Sequence, residues 1–158
     1  MSESSEDKTK RKYVDQLLAG IWTYQYSVFY QNPDDSHQLI EDAASFKQGL
    51  SRKFPNQPFL IRVSLKGTGK SKQAWLSVLT TQKSPELIDW AEQKFSVPVN
   101  VIFRRYSQAK AEQTAEAILK FRPHDLKHFF GKEKVNRYAL INKNCFEEMR
   151  ASHAEAGD

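Results

Sequence analysis

The sequence predicts a single α+β domain: a four-stranded, largely antiparallel sheet with helices on one face. Three observations predict it. Apolar and polar residues alternate in four stretches, at 22–30, 58–66, 73–81 and 97–105, the period-two pattern of a strand with one buried face. Apolar residues recur at helical spacing between the first and second stretches, and again between the third and fourth. The second and third stretches are joined only by a short lysine- and glycine-bearing segment, Lys66–Lys72, which reads as a hairpin turn.

The elements follow in order. YVDQLLAGIW reads as a short helical lead-in ending near Gly20. In WTYQYSVFY, Trp22, Tyr24, Tyr26, Val28 and Tyr30 share one face, and Thr23, Gln25 and Ser27 lie on the other. Asn32-Pro33-Asp34-Asp35 breaks this strand, and Asp35 or Ser36 caps the next helix, with Gln38 in capping-box position to Asp35. Leu39, Ile40, Ala43, Phe46, Leu50 and Phe54 form that helix's buried stripe, which Pro55 and Pro58 end. After the hairpin, Ser84-Pro85 opens a second helix with Leu87, Ile88, Ala91 and Phe95 inward. VPVNVIFRR is the fourth strand, and Ser107 caps a third helix running to Phe121. Shorter elements follow: a helical turn ending at Gly131, a brief YALI piece, and a last helix capped by Asn144 with Glu147 three residues on. This order is that of the ferredoxin-like βαββαβ plait with a C-terminal helical extension. The expected organisation is a disordered tail at 1–12, one domain at 13–150 and a flexible tail at 151–158. Within the domain the core is 20–122, and 123–150 is a basic extension.

Bulk properties narrow the function. A chain of 158 residues, 12% of them aromatic, is long enough for one well-packed core. The formal net charge of +5 and the pI of about 9.3 favour a polyanionic partner. A single cysteine, Cys145, allows no internal disulfide and fits a reducing, cytoplasmic setting. Apolar runs are too short to cross a bilayer, and MSESSEDKTKRK lacks the apolar centre of a signal peptide, so no membrane role is expected.

Strand alternation assigns the second sheet face. Leu60, Arg62, Ser64 and Lys66 point away from the helices on one strand, as do Gln73, Trp75, Ser77 and Leu79 on the next. Asn100, Ile102 and Arg104 do so on the fourth. Basic groups hold phosphates and an aromatic face stacks a base, which is how a sheet recognises single strands. Two arrangements fit this face: an open platform, or a face on which Trp75 packs under the extension, with Arg62 and Arg104 paired to its carboxylates. The segment 120–143 carries seven basic residues against two acidic ones. That excess of five equals the charge of the whole chain and adds to the case for nucleic acid.

GTGKS at 67–71 resembles the end of a phosphate-binding loop, but Ser64 stands where that loop needs glycine and a strand follows where it needs a helix. No cofactor is expected. TYQYSVFY, the helix LIEDAASFKQGLSRKF, the hairpin PFLIRVSLKGTGKSKQAWLSVLTT and the helix after Tyr106 follow an order that resembles the rolling-circle replication initiators and relaxases of plasmids and phages. The resemblance covers about residues 20–122, as topology. It implies a metal-binding His-hydrophobic-His on the hairpin's second strand and a nicking tyrosine on a later helix. Here Trp75, Leu76 and Ser77 replace the histidine motif, and Tyr106 with Lys110 is the candidate for the tyrosine and its lysine. The implied protein keeps the nucleic-acid cradle and has lost the nicking chemistry. His124 and His128, four apart, are the candidate metal pair, with Asp125 or Cys145 as the third ligand.

The sequence therefore points to a protein that binds single-stranded or junction DNA or RNA. Phosphates would be held by Arg62, Lys66, Lys70, Lys72 and Arg104, and a base by Trp75. Lys127, Lys132, Lys134 and Arg137 would form an electrostatic wall. The alternatives are a protein–protein module, a phage or plasmid accessory factor docking through Leu60, Leu79 and Ile102, and a degenerate tyrosine nuclease.

Overall fold

A computed structural model of the chain describes residues 5–66, 73–121, 124–131 and 137–156. It has five strands: β1 Tyr24–Tyr30, β2 Phe59–Lys66, β3 Gln73–Thr80, β4 Val99–Arg105 and β5 Tyr138–Ile141. The helices are α1 Ser5–Leu17, α2 Leu39–Lys53, α3 Pro85–Lys94, α4 Gln108–Lys120, α5 His124–Phe130 and α6 Lys143–Ala156. The strands form one open sheet in the order β4-β1-β3-β2-β5, with every neighbouring pair antiparallel.

The first face of the sheet carries the larger core. Tyr26, Val28, Tyr30, Ile61, Val63, Leu76 and Val78 pack against Leu39, Ala43, Phe46 and Leu50 of α2 and Leu87 and Ala91 of α3. Gly49 of α2 packs against α3: a Cβ there would lie 2.9 Å from the Trp90 ring, so a larger residue would have to displace the indole. Two buried tyrosine hydroxyls are satisfied in this layer. Tyr26 accepts from the Ser84 amide at 2.8 Å, and Tyr30 donates to Asp42. Burial pushes the Tyr30 hydroxyl far above its ordinary pKa, and the Asp42 carboxylate reinforces the shift.

A second helical layer covers much of the other face, correcting the expectation of helices on one side only. Tyr13 and Leu17 of α1, Ala111, Ala115 and Ile118 of α4, and Phe146 of α6 pack with Leu60, Leu79, Trp22 and Tyr106. Tyr13 stacks on Tyr138 at 4.0 Å, and Trp22 lies parallel to Phe146 at 5.8 Å. Lys10 donates to the Phe121 carbonyl at 2.7 Å, tying α1 to the end of α4. Gly20, at φ +80°, makes the turn from α1 into the sheet, with His153 of α6 seated against it.

Several sequence expectations change. The segment expected as a tail at 1–12 is helical from Ser5, and helix α6 runs on to Ala156 through much of the second expected tail. The two leucines proposed for a docking patch are buried, Leu60 at 0% and Leu79 at 4% exposure; only Ile102, at 42%, is exposed. Trp22 precedes β1 and packs into the second layer, because its indole N–H donates to the Gln16 carbonyl at 2.9 Å. Asn32, not Asp35 or Ser36, caps the helical element after β1, a 3-10 turn over Pro33–Gln38, by accepting from the Asp34 amide. The last helix begins at Lys143. Asn142 lies just before it in the left-handed region and donates to the Phe54 and Gln57 carbonyls at 2.7 Å each. A fifth strand extends the expected four: YALI pairs with β2, with Phe59 opposite Ile141 and Arg62 opposite Tyr138.

If α1 belongs to the folded unit, Leu17→Ala should destabilise the protein by about 2–5 kcal/mol, the range for a buried leucine truncation. Urea unfolding followed by circular dichroism measures it.

Candidate functional site

The second face changes character along its length. At one end Leu60 lies opposite Leu79 and both are buried beneath the helices. One step along, Arg62 lies opposite Ser77; two steps along, Ser64 lies opposite Trp75. On the other side of β3, Gln25 pairs with Leu79 and Ser27 with Ser77. The period-two rule thus lays a polar band across the strands immediately beyond an apolar one.

A cavity of about 140 Å³ opens at this boundary, with α1 and α4 as its roof. Arg62, Ser64, Trp75, Ser77 and Gln25 form its floor; Tyr13, Tyr106 and Thr114 line the rest with Leu17 and Leu79. Among the described residues no carboxylate lines it, so none of them offers the Arg62 guanidinium a counter-charge within the cavity. Tyr106 is 7% exposed, and its buried hydroxyl makes no full hydrogen bond among the described residues, with the Thr114 side chain as its hydrogen-bonding neighbour. Burial raises the pKa of this hydroxyl; the Thr114 side chain and the Arg62 charge act in the opposite direction. Burial likewise drives Tyr13 upward against the pull of Arg62. Both phenols are therefore neutral O–H groups around neutral pH.

Beside the cavity, the Trp75 ring stacks on Phe29 at 5.5 Å with the planes 24° apart. Both rings are half-buried. On β4, Asn100, Ile102 and Arg104 are exposed on the same face, and Lys66 is exposed at the end of β2. Arg104 lies opposite Gln25, and Asn100 opposite Phe29. The structure thus gathers Arg62, Lys66, Trp75 and Arg104 on one face and adds Phe29, which the sequence analysis did not single out. Its signal was present: Phe29 falls at an outward-facing position of β1, in line with Gln25 and Ser27.

The remaining candidates lie elsewhere. Lys70, Lys72, Lys132 and Lys134 are outside the described residues. Lys127 is exposed on α5, whose Leu126, Phe129 and Phe130 pack into the first-face core, so it does not extend the Arg62 face. Arg137 is only 6% exposed and sits over the rings of Phe121 and Tyr138, at 4.7 and 4.8 Å. It is a packing cation, not part of an exposed basic wall. Tyr106 is buried, whereas Lys110 is exposed and donates to the Arg105 carbonyl at 3.2 Å. The two do not form an exposed tyrosine–lysine pair. His124 and His128 both fall on α5. Cys145 points to the Pro55 carbonyl. Among the described residues, no group of three His, Cys, Asp or Glu side chains converges.

No protein-family model matches the chain, and no curated protein is similar to it. A solved structure that is similar is the crystal structure of the hypothetical protein ORF119 from Sulfolobus islandicus rod-shaped virus 1. It matches at a TM-score of 0.40 and 11% identity, over 70% of this chain and 90% of that one. So distant a likeness carries no argument about function. No helix among the described residues is long and apolar enough to cross a membrane.

The Tyr106 hydroxyl makes a stability prediction. Removing a buried polar atom that makes no full hydrogen bond is near neutral or favourable, so Tyr106→Phe should leave stability unchanged or raise it by about 1 kcal/mol. Thermal melts of the two proteins compare them; a loss of several kcal/mol would mean that the hydroxyl has a structural partner.

Proposed function

We propose that the protein binds single-stranded nucleic acid along the uncovered strip of the second sheet face. The observation that carries the reading is the stacked, half-buried Phe29–Trp75 pair, with the exposed Lys66 one rung away on β2 and the exposed Arg104 two rungs away in the other direction on β4. Aromatic rings on a sheet give a base a flat apolar surface, and flanking cations hold its phosphates. Burying the lower edge of each ring in the sheet holds the pair in place before binding, so little side-chain freedom remains to be lost. Arg62, at the mouth of the adjoining cavity, extends the cationic edge across the sheet.

In this reading the strands β4-β1-β3-β2 form a ferredoxin-like plait, with β5 added at one edge and α1, α4 and α6 closing half of the second face. The part left uncovered is the part that works. The resemblance to replication initiators enters at the same level: a cradle for nucleic acid without nicking chemistry, because Trp75 and Ser77 stand where metal-binding histidines would be needed.

A second reading is a protein-docking surface, favoured by the exposed Ile102 in the middle of the strip. The two separate in solution. Fluorescence polarisation with labelled single-stranded DNA, RNA and duplex over a salt series should show affinity falling steeply with salt, with single strands preferred. Trp75→Ala and Phe29→Ala should each weaken single-strand binding by about 1–3 kcal/mol. Arg104→Gln should weaken all sequences alike and flatten the salt slope by about one. No binding at low salt would overturn the nucleic-acid reading and leave the protein-docking surface.

A further inference from the structure

We infer that the cavity beneath α1 and α4 is a binding site for a single phosphate group, either the terminal phosphate of a strand lying on the adjoining platform or a free phosphate. The size sets the class of ligand. A volume of about 140 Å³ is that of about four or five waters. It lies well below the roughly 300 Å³ at which pockets for drug-sized ligands begin. That size matches a tetrahedral oxyanion better than an enclosed nucleotide.

The lining sets the charge. Arg62 brings a permanent positive charge and a fork of N–H donors matched to phosphate oxygens. Among the described residues no carboxylate shares the cavity with it. The Tyr106 hydroxyl makes no full hydrogen bond among the described residues, with the Thr114 side chain as its hydrogen-bonding neighbour, so a ligand oxygen can complete it. Tyr13 and Tyr106 are held neutral by burial, so they offer O–H donors and add no negative charge. Ser64 and Ser77 supply further hydroxyls on the floor. A half-buried cation ringed by neutral donors favours an anion over a neutral or cationic guest.

The position supplies the link to the platform. Trp75 both lines the cavity and stacks on Phe29, so the two sites share a wall. A strand whose last base stacks on this pair would have its end beside the cavity mouth. This part of the inference rests on the nucleic-acid reading; the oxyanion site itself does not.

The test has two arms. In the first, internally labelled single strands of one sequence, ending in phosphate or in hydroxyl at the 5′ or 3′ end, are compared by fluorescence polarisation. One phosphate-ended strand should bind about tenfold or more tighter than its hydroxyl-ended counterpart, the scale of one or two charge-assisted hydrogen bonds. Tyr106→Phe and Arg62→Gln should each shrink that difference to about twofold or less; Tyr106→Phe should leave hydroxyl-ended binding within a few-fold, whereas Arg62→Gln, which also removes a charge from the edge of the platform, should weaken it. In the second arm, inorganic phosphate is titrated against the melting temperature, with chloride at equal ionic strength as control. Stabilisation of the wild type that Tyr106→Phe loses supports the cavity even if no strand binds, and identifies free phosphate as the source. Equal affinity for all strand ends together with no phosphate-specific stabilisation overturns the inference. Failure of both strand types to bind, with phosphate stabilisation intact, overturns only the platform.

Discussion

The structure turns on the register between β2 and β3. Leu60 opposite Leu79, Arg62 opposite Ser77 and Ser64 opposite Trp75 place an apolar rung, a charged rung and a mixed rung in succession on one sheet face. A shift of β2 by one residue would exchange its two faces, sending Phe59, Ile61 and Val63 out of the main core. The first-face core therefore fixes the register, and the register fixes how polarity varies along the second face.

Helix packing follows that gradient. Leu60 and Leu79 need cover, and α1, α4 and α6 provide it through Leu17, Ile118 and Phe146. The helices do not close over the polar rungs, where burying Arg62 completely would strip water from an unneutralised charge. The cavity lies where cover stops being favourable. The Phe29–Trp75 pair lies beyond it, with Lys66 one rung further on and Arg104 back on the Leu60–Leu79 rung. The α5 segment answers to the first core instead, through Leu126 and the His37–Phe129 stack at 4.2 Å. That is why Lys127 and Arg137, the described members of the expected wall, do not gather on one surface.

Much of this was legible from the chain. The four main strands, the helices after Leu39, Pro85 and Ser107, and the inward stripe of each follow from period and capping residues. The outward positions of Arg62, Trp75, Ser77 and Arg104 follow from alternation alone. Three things were not legible, each for a physical reason. Helix α1 begins in a strongly polar stretch, and only Tyr13 and Leu17, late in it, reveal a buried stripe. Strand β5 is four residues long and depends on the edge of β2 for its hydrogen bonds, so no local pattern announces it. The cavity is assembled from α1, the sheet and the start of α4, segments far apart in sequence whose meeting is a tertiary event.

The central claim is that the boundary between the covered and uncovered halves of one sheet face is the working surface. Two-dimensional amide NMR of the labelled protein, titrated with single-stranded DNA, tests it most directly. The account predicts shifts concentrated at Gln25, Ser27, Phe29, Trp75, Ser77, Ile102 and Arg104, with the indole N–H of Trp75 moving and that of the buried Trp22 still. Shifts confined to α2, α3 and α5, with the strip unmoved, would contradict it.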